Sequence, residues 1–265
     1  MTRVALVTGA ARGIGAATAR GLVADGWAVL AVDRCADDPR LPYALASEAE
    51  LDALVTGARL ASGEDRIAGH VADASDAAAM RSAVAEAEAR FGGLDAVIAV
   101  AGVIAGGVPL WQMPADQEAA VLDGDLRSVL VTARAGIPAL LRRPQPRSGR
   151  FLAVASAAAT RGLPLLAAYC ATKAGVTGLV RALAAELRGT GVTANAVSPG
   201  STETPILDES ARLYALESAE AFSAQQPLER LIRPDEVAAM LSWLAGPASS
   251  AVTGASVPVD GGLTL

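Results

Sequence analysis

Val4-Ala5-Leu6-Val7-Thr8-Gly9-Ala10-Ala11-Arg12-Gly13-Ile14-Gly15 is the stretch on which the fold turns. Its first four residues are apolar without polar alternation, the pattern of a strand covered on both faces. Three glycines follow at once, and an Ala-rich helical stretch (14–24) comes next. The same rhythm runs outward along the chain. Apolar segments at 28–32, 67–71, 96–100, 151–155, 192–197 and 256–259 alternate with helical stretches at 48–60, 76–90, 115–141, 167–188, 206–222 and 235–245. That alternation predicts an α/β fold around a parallel sheet of about seven strands. Several helix ends are readable. Ser47 with Glu50 fits a capping box, Pro114 and Pro234 suit first turns, and Gly26 and Gly189 suit C-terminal stops.

With 265 residues, 52% of them hydrophobic, the chain can bury a sizeable core and is read as one domain, 1–265. No repeat or shift in composition divides it. Two long connections stand out: residues 34–46 extend the link after the second strand, and 200–233 form an excursion after the sixth. Long connections in a compact domain are usually functional, so 200–233 is the candidate substrate lid, with an ordinary helical insertion as the alternative. A net charge of −6 argues against a nucleic-acid surface. Arg142, Arg143, Arg147 and Arg150 cluster, but the prolines and glycine among them read as a solvated loop. Two cysteines are too few for a disulfide framework, and neither sits in a metal motif. Asp37 and Asp38 are read as solvating a loop rather than holding metal. No signal-peptide core or membrane-length apolar run is evident, so the expected location is cytoplasmic, with no membrane partner.

The loop Thr8–Gly15 joins a strand directly to a helix. Glycine there allows a sharp turn and lets backbone N–H groups approach a pyrophosphate at the helix N-terminus. Asp33 ends the second strand, where a carboxylate can accept both hydroxyls of an adenosine ribose. A fixed carboxylate repels a 2′-phosphate, so NAD is expected over NADP. Arg12 and Arg34 pull the other way, since either can pair with a phosphate; Arg12 can equally contact the pyrophosphate.

Tyr169-Cys170-Ala171-Thr172-Lys173 lies in a helical stretch, and its four-residue spacing puts Tyr169 and Lys173 on one face. A tyrosine serves as a base near neutral pH only if its pKa falls, and a neighbouring ammonium supplies such a shift. Ser156 closes the fifth strand and can hold a substrate oxygen at the sheet's carboxyl edge. Lys173 is the only lysine; the other 21 basic residues are arginine. A chain that drifts to arginine wherever arginine suffices retains lysine here, where a compact ammonium differs from a planar guanidinium.

With Thr8-Gly9, Gly13-Ile14-Gly15, Ser156 and Tyr169-x-x-x-Lys173 in place, the chain resembles the short-chain dehydrogenase/reductase family over essentially its whole length. Asp73 after the third strand, Ala101-Gly102 after the fourth, Asn195 to Gly200 and Val259-Asp260-Gly261-Gly262 match as well. Segment 34–46 is similar to that of the mycofactocin-associated subgroup. The resemblance implies a doubly wound (Rossmann) sheet with helices on both faces, and a homotetramer or dimer built through 115–141 and 167–188. It implies hydride transfer between NAD and a small or medium apolar alcohol or ketone. For the subgroup it implies tightly held NAD and a peptide-derived redox carrier. It implies cofactor contacts from Gly9, Arg12, Gly13, Ile14, Gly15, Asp33, Arg34, Asp73, Ala74, Ala101 and Gly102. Tyr169, Lys173, Pro199, Gly200, Thr202 and Thr204 complete that set. Tyr169 would be the acid or base, Lys173 would bind the nicotinamide ribose, and Ser156 would orient the substrate oxygen.

Two departures from the family stand out. Its Asn-Asn-Ala-Gly reads Ala99-Val100-Ala101-Gly102, and the asparagine of its proton relay reads Asp125, in Asp125-Leu126-Arg127-Ser128. Asp125 can preserve the relay, with Gly124 permitting a kink, or can place a negative charge beside Lys173 and raise the tyrosine pKa. The missing asparagines leave an alternative reading, a catalytically silent NAD-binding sensor or scaffold. His70 is read as a partly buried strand side chain, Cys170 as packing, and Trp111, Trp243 and Tyr214 as core or lid residues.

Overall fold

The fold, taken from a computed structural model that describes residues 2–265, follows the strand–helix alternation of the sequence. Strands β1 (Val4–Thr8), β2 (Ala28–Asp33), β3 (Ile67–Val71), β4 (Ala96–Ala99), β5 (Gly149–Val154), β6 (Val192–Pro199) and β7 (Ser256–Val259) form one sheet. All neighbours pair in parallel, in the order β3-β2-β1-β4-β5-β6-β7. Sequential strands leave β1 in one direction as far as β3, and resume on its other side with β4. The crevice at the carboxyl ends of β1 and β4 is therefore the switch point at which ligands of such sheets bind.

Helices cover both faces, which is why the central strands are apolar throughout. Leu22 of α1 (Gly13–Ala24), Leu51 and Leu54 of α2 (Glu48–Ser62) and Leu241 of α8 (Pro234–Ala245) pack with Val7, Val29 and Ile98 on one face. On the other, Met80 and Val84 of α3 (Ala77–Phe91), Val129 of α5 (Ser128–Arg142) and Val176 of α6 (Ala167–Glu186) pack with Leu6, Val97 and Phe151. The α2 capping box at Ser47 and Glu50 is formed, and Pro234 occupies the first turn of α8. No helix of the described residues is long and apolar enough to cross a membrane.

Five readings of the sequence need correction. The stretch 115–141 is not one regular helix: α4 (Ala115–Val121) passes through a π-helical turn, Leu122–Arg127, into α5. Nor is 206–222 continuous. Helix α7 (Pro205–Leu213) ends where Ala215 takes a left-handed backbone (φ 53°), and a 3-10 segment, Ala219–Gln225, follows. That reversal sets Phe222 edge-on to Tyr214 and buries it beside Leu207 and Leu231. Arg150 belongs to β5 and is 1% exposed rather than in a solvated loop; its guanidinium donates to the Gly149 and Gly246 carbonyls. The neighbouring Arg142 and Arg143 pair with Glu88 and Asp95. Asp38 is likewise buried, gripped by Arg34 and Arg40. Finally, Trp111 is 84% exposed and Trp243 46%, so neither is a core or lid residue.

Candidate active site

A cavity of about 510 Å³ opens along the carboxyl edge of the sheet, and every residue singled out for the site except Asp125 lines it. Its floor is the glycine loop. Gly13 has φ 57°, and a Cβ on Gly15 would overlap the Gly9 carbonyl, so the turn needs glycine at both positions. Asp33 reaches this loop from β2. Its two carboxylate oxygens accept the N–H groups of Ala11 (2.9 Å) and Cys35 (3.2 Å). The carboxylate is thus held in one orientation, leaving a second lone pair on each oxygen for a pair of hydroxyls. Asp73 faces the same end. It accepts from Ser75 and lies 3.7 Å from the Arg34 guanidinium. A loop that admits backbone against a diphosphate, beside a fixed acceptor for a diol, fits an adenine dinucleotide.

Segment 34–46 folds back over that end as a strap bolted at three points. Arg12 of the glycine loop donates to the Ala44 carbonyl (3.1 Å). The Tyr43 hydroxyl accepts the Ile104 N–H (2.9 Å), and burial pushes that phenol well above its ordinary pKa. Arg40 bridges Asp38 and Asp123 at 2.7 and 2.9 Å. Its hydrogen bonds hold the Asp38 carboxyl far below the usual carboxylate range. The Leu-Pro-Tyr piece of the segment was legible in the sequence; the Arg40–Asp123 bridge, 83 positions long, was not.

The other end gathers Ser156, Tyr169, Lys173 and Asp125. Ser156 follows β5 and caps a short 3-10 turn, its hydroxyl accepting the Ala158 N–H. Tyr169 and Lys173 share a face of α6, the ammonium lying 5.5 Å from the phenol ring centre. Lys173 is 4% exposed, 3.0 Å from Asp125 Oδ1, and donates to the Val154 carbonyl. The π-helical turn explains how Asp125 gets there. One extra residue in the turn rotates the side chain inward, where it is fully buried and its Oδ1 also accepts the Val103 N–H. Only glycine fits opposite it: a Cβ on Gly102 would lie 2.7 Å from Oδ1. Oδ2 has no partner.

Charges here oppose one another. Burial works against the Lys173 ammonium, but Asp125 and Tyr169 outweigh it and raise its pKa. Burial pushes the Asp125 carboxyl up, while Lys173 and the Val103 amide pull it down; the 3.0 Å contact is that of an ion pair. Tyr169 moves up, chiefly through burial. Lys173 and Ser156 act to lower it, and Asp125 raises it.

Beyond Tyr169 the walls are apolar, from Leu163 and Leu166 after β5 and from Ile206, Leu207 and Phe222 of the 200–233 excursion. Thr202 and Ile232 bridge the two ends of that excursion, and Tyr214 donates to the Pro164 carbonyl at 2.6 Å. Arg161 also borders this part of the cavity, and nothing in the sequence had marked it. His70 sits half-buried on β3, and Cys170 lies beside the Leu163 carbonyl.

Over residues 9–264 the chain matches the family described as enoyl-(acyl carrier protein) reductase. It is 36% identical to a ketoacyl reductase of the monensin polyketide synthase from Streptomyces virginiae, covering 99% of this chain and 97% of that one. It is also 36% identical to cis-4-hydroxycyclohexanecarboxylate dehydrogenase from Sinomonas cyclohexanicum, covering 99% and 96%. Carveol dehydrogenase from Mycobacterium avium, solved in complex with NAD, superposes with a TM-score of 0.92 at 29% identity, over 98% of this chain and 97% of the other.

Proposed function

The chain belongs to the short-chain dehydrogenase/reductase family, and on that premise we propose that it is an NAD-dependent oxidoreductase acting on a small or medium apolar alcohol or ketone. The observation that carries this reading is the buried Lys173 ammonium, held between Asp125 and Tyr169 at the end of a cavity floored by the glycine loop. When bound, NAD supplies the hydride acceptor, and its reduced form the donor. The chain supplies position and proton transfer. In alcohol oxidation the Tyr169 phenolate takes the carbinol proton; in carbonyl reduction its phenol gives the proton back. The Ser156 hydroxyl holds the substrate oxygen against Tyr169. Lys173 would hold the nicotinamide ribose and stabilises the phenolate; Asp125 holds that ammonium in place. The apolar walls of 200–233 cover the reacting carbon and exclude water.

Asp33 supports NAD over its 2′-phosphorylated form, because its fixed carboxylate occupies the ground a phosphate needs. The three-point strap supports slow cofactor release. We therefore assign to this chain NAD that stays bound between turnovers, with electrons leaving through an external redox carrier. Tyr169→Phe removes the proton carrier without removing a cofactor contact of comparable size. It should abolish turnover while NAD still binds, and retained activity with any alcohol refutes the mechanism.

A further inference from the structure

We propose that Arg161 anchors an anion on the substrate: the chain takes alcohols or ketones that carry a carboxylate away from the reacting carbon. The inference rests on the oxidoreductase reading above and deepens it. The charged residues lining the cavity divide by position. Asp33, Arg34, Asp73 and Arg12 belong to the dinucleotide end, and Lys173 is taken by Asp125. Past Tyr169, Arg161 is the remaining charged side chain of the lining, and no acidic residue lines that part.

Arg161 is exposed at the rim of the cavity, with its guanidinium free to take an anion. Among the described residues, no carboxylate lies within ion-pair distance of Arg161, and of the unpaired arginines it is the one that borders the cavity past Tyr169. The Nη1 group donates to the Leu263 carbonyl at 2.9 Å. That bond leaves Nε and Nη2, the edge that grips a carboxylate with two parallel hydrogen bonds, without a partner. The backbone ties this group to the reaction centre. The Arg161 N–H donates to the Ala157 carbonyl, and the Ala159 N–H to the Ser156 carbonyl, so the anchor and the Ser156 hydroxyl stand on one hydrogen-bonded turn. An apolar body with a hydroxyl at one end and a carboxylate at the other spans that arrangement, the body against Leu163, Ile206 and Phe222.

The test is calorimetric titration of the NAD-saturated protein with hexanoate and with hexanamide, unreactive probes that differ in charge and little in shape. Arg161 is exposed, so the gain from a charge-assisted pair is tempered by water. Hexanoate should bind about two- to fivefold more tightly than hexanamide. Arg161→Gln, which keeps an amide donor for Leu263, should abolish the difference without altering NAD affinity, and Arg161→Lys should restore part of it. Equal binding of the two probes by the unaltered protein, or an undiminished preference in Arg161→Gln, overturns the proposal. The two readings fail separately. A carboxylate preference in a protein that oxidises no alcohol sinks the oxidoreductase reading and leaves the anchor standing. Turnover of neutral alcohols beside equal probe binding does the reverse.

Discussion

Asp125→Asn removes one negative charge from the reaction centre at almost no change in volume, and the structure gives the size of its effect. Asp125 Oδ1 lies 3.0 Å from Lys173 Nζ, which lies 5.5 Å from the Tyr169 ring centre. The carboxylate oxygen is therefore within about 8.5 Å of that ring. At an effective dielectric near 20, a unit charge at that range contributes about 2 kcal/mol, or roughly 1.5 pH units of tyrosine titration. The sign follows from the charge. A carboxylate disfavours the phenolate and raises the pKa; removing it lowers the pKa and leaves the ammonium's opposite effect uncompensated. The assay is kcat/KM for alcohol oxidation at saturating NAD, followed from pH 6 to 11. The limb on which activity rises should move down by about 1 to 1.5 units, with NAD affinity measured alongside. An unmoved limb would mean that Asp125 is not ionised in the working enzyme. An upward shift would mean that Lys173 loses its proton once its partner is gone. Either result refutes the argument that a buried ion pair sets the tyrosine.

Asp33→Ser should reduce the preference for NAD over NADP by about tenfold or more, measured as the ratio of kcat/KM values for the two cofactors. It should also lower thermal stability, since the Ala11 and Cys35 N–H groups lose a charged acceptor. Arg40→Ala cuts the strap from both Asp38 and Asp123. It should speed release of bound NAD by about tenfold, read by exchange with isotopically labelled NAD. Rapid exchange already in the unaltered protein counts against the tightly held cofactor.

The strands and the placement of Tyr169, Lys173 and Ser156 were legible because they follow local rules: unbroken apolar runs, glycine punctuation, and a four-residue helical spacing. What was not legible depends on contacts between distant segments. Arg40 meets Asp123 across 83 positions, and no pattern in either neighbourhood marks the pairing. Arg150 looks like part of a polar run, yet the strand pairing of β5 with β4 and β6 carries it inside. The break after α7 at Ala215 lets Phe222 meet Tyr214 edge-on, a tertiary contact that no local pattern in the stretch marks. Asp125 lies between these cases. Its identity showed where the chain departs from its family, but its side chain points inward only because the helix passes through a π turn.

That turn links the two ends of the cavity. Asp123 and Asp125 both sit in Leu122–Arg127: Asp123 takes Arg40 of the strap, and Asp125 takes Lys173 of α6. One bulged turn thus bears on both the 34–46 strap and the Lys173 face of α6. The retained lysine fits this arrangement. The ammonium lies 3.3 Å from where even a Cβ on Gly102 would stand, and 3.4 Å from the Val154 carbonyl, in a site that is 4% exposed. A planar guanidinium needs more room in the plane and spreads its charge over five donors, where the ammonium concentrates it on one nitrogen. The chain's preference for arginine elsewhere is compatible with its surface ion pairs; at position 173 the compact ammonium meets one carboxylate oxygen and one carbonyl.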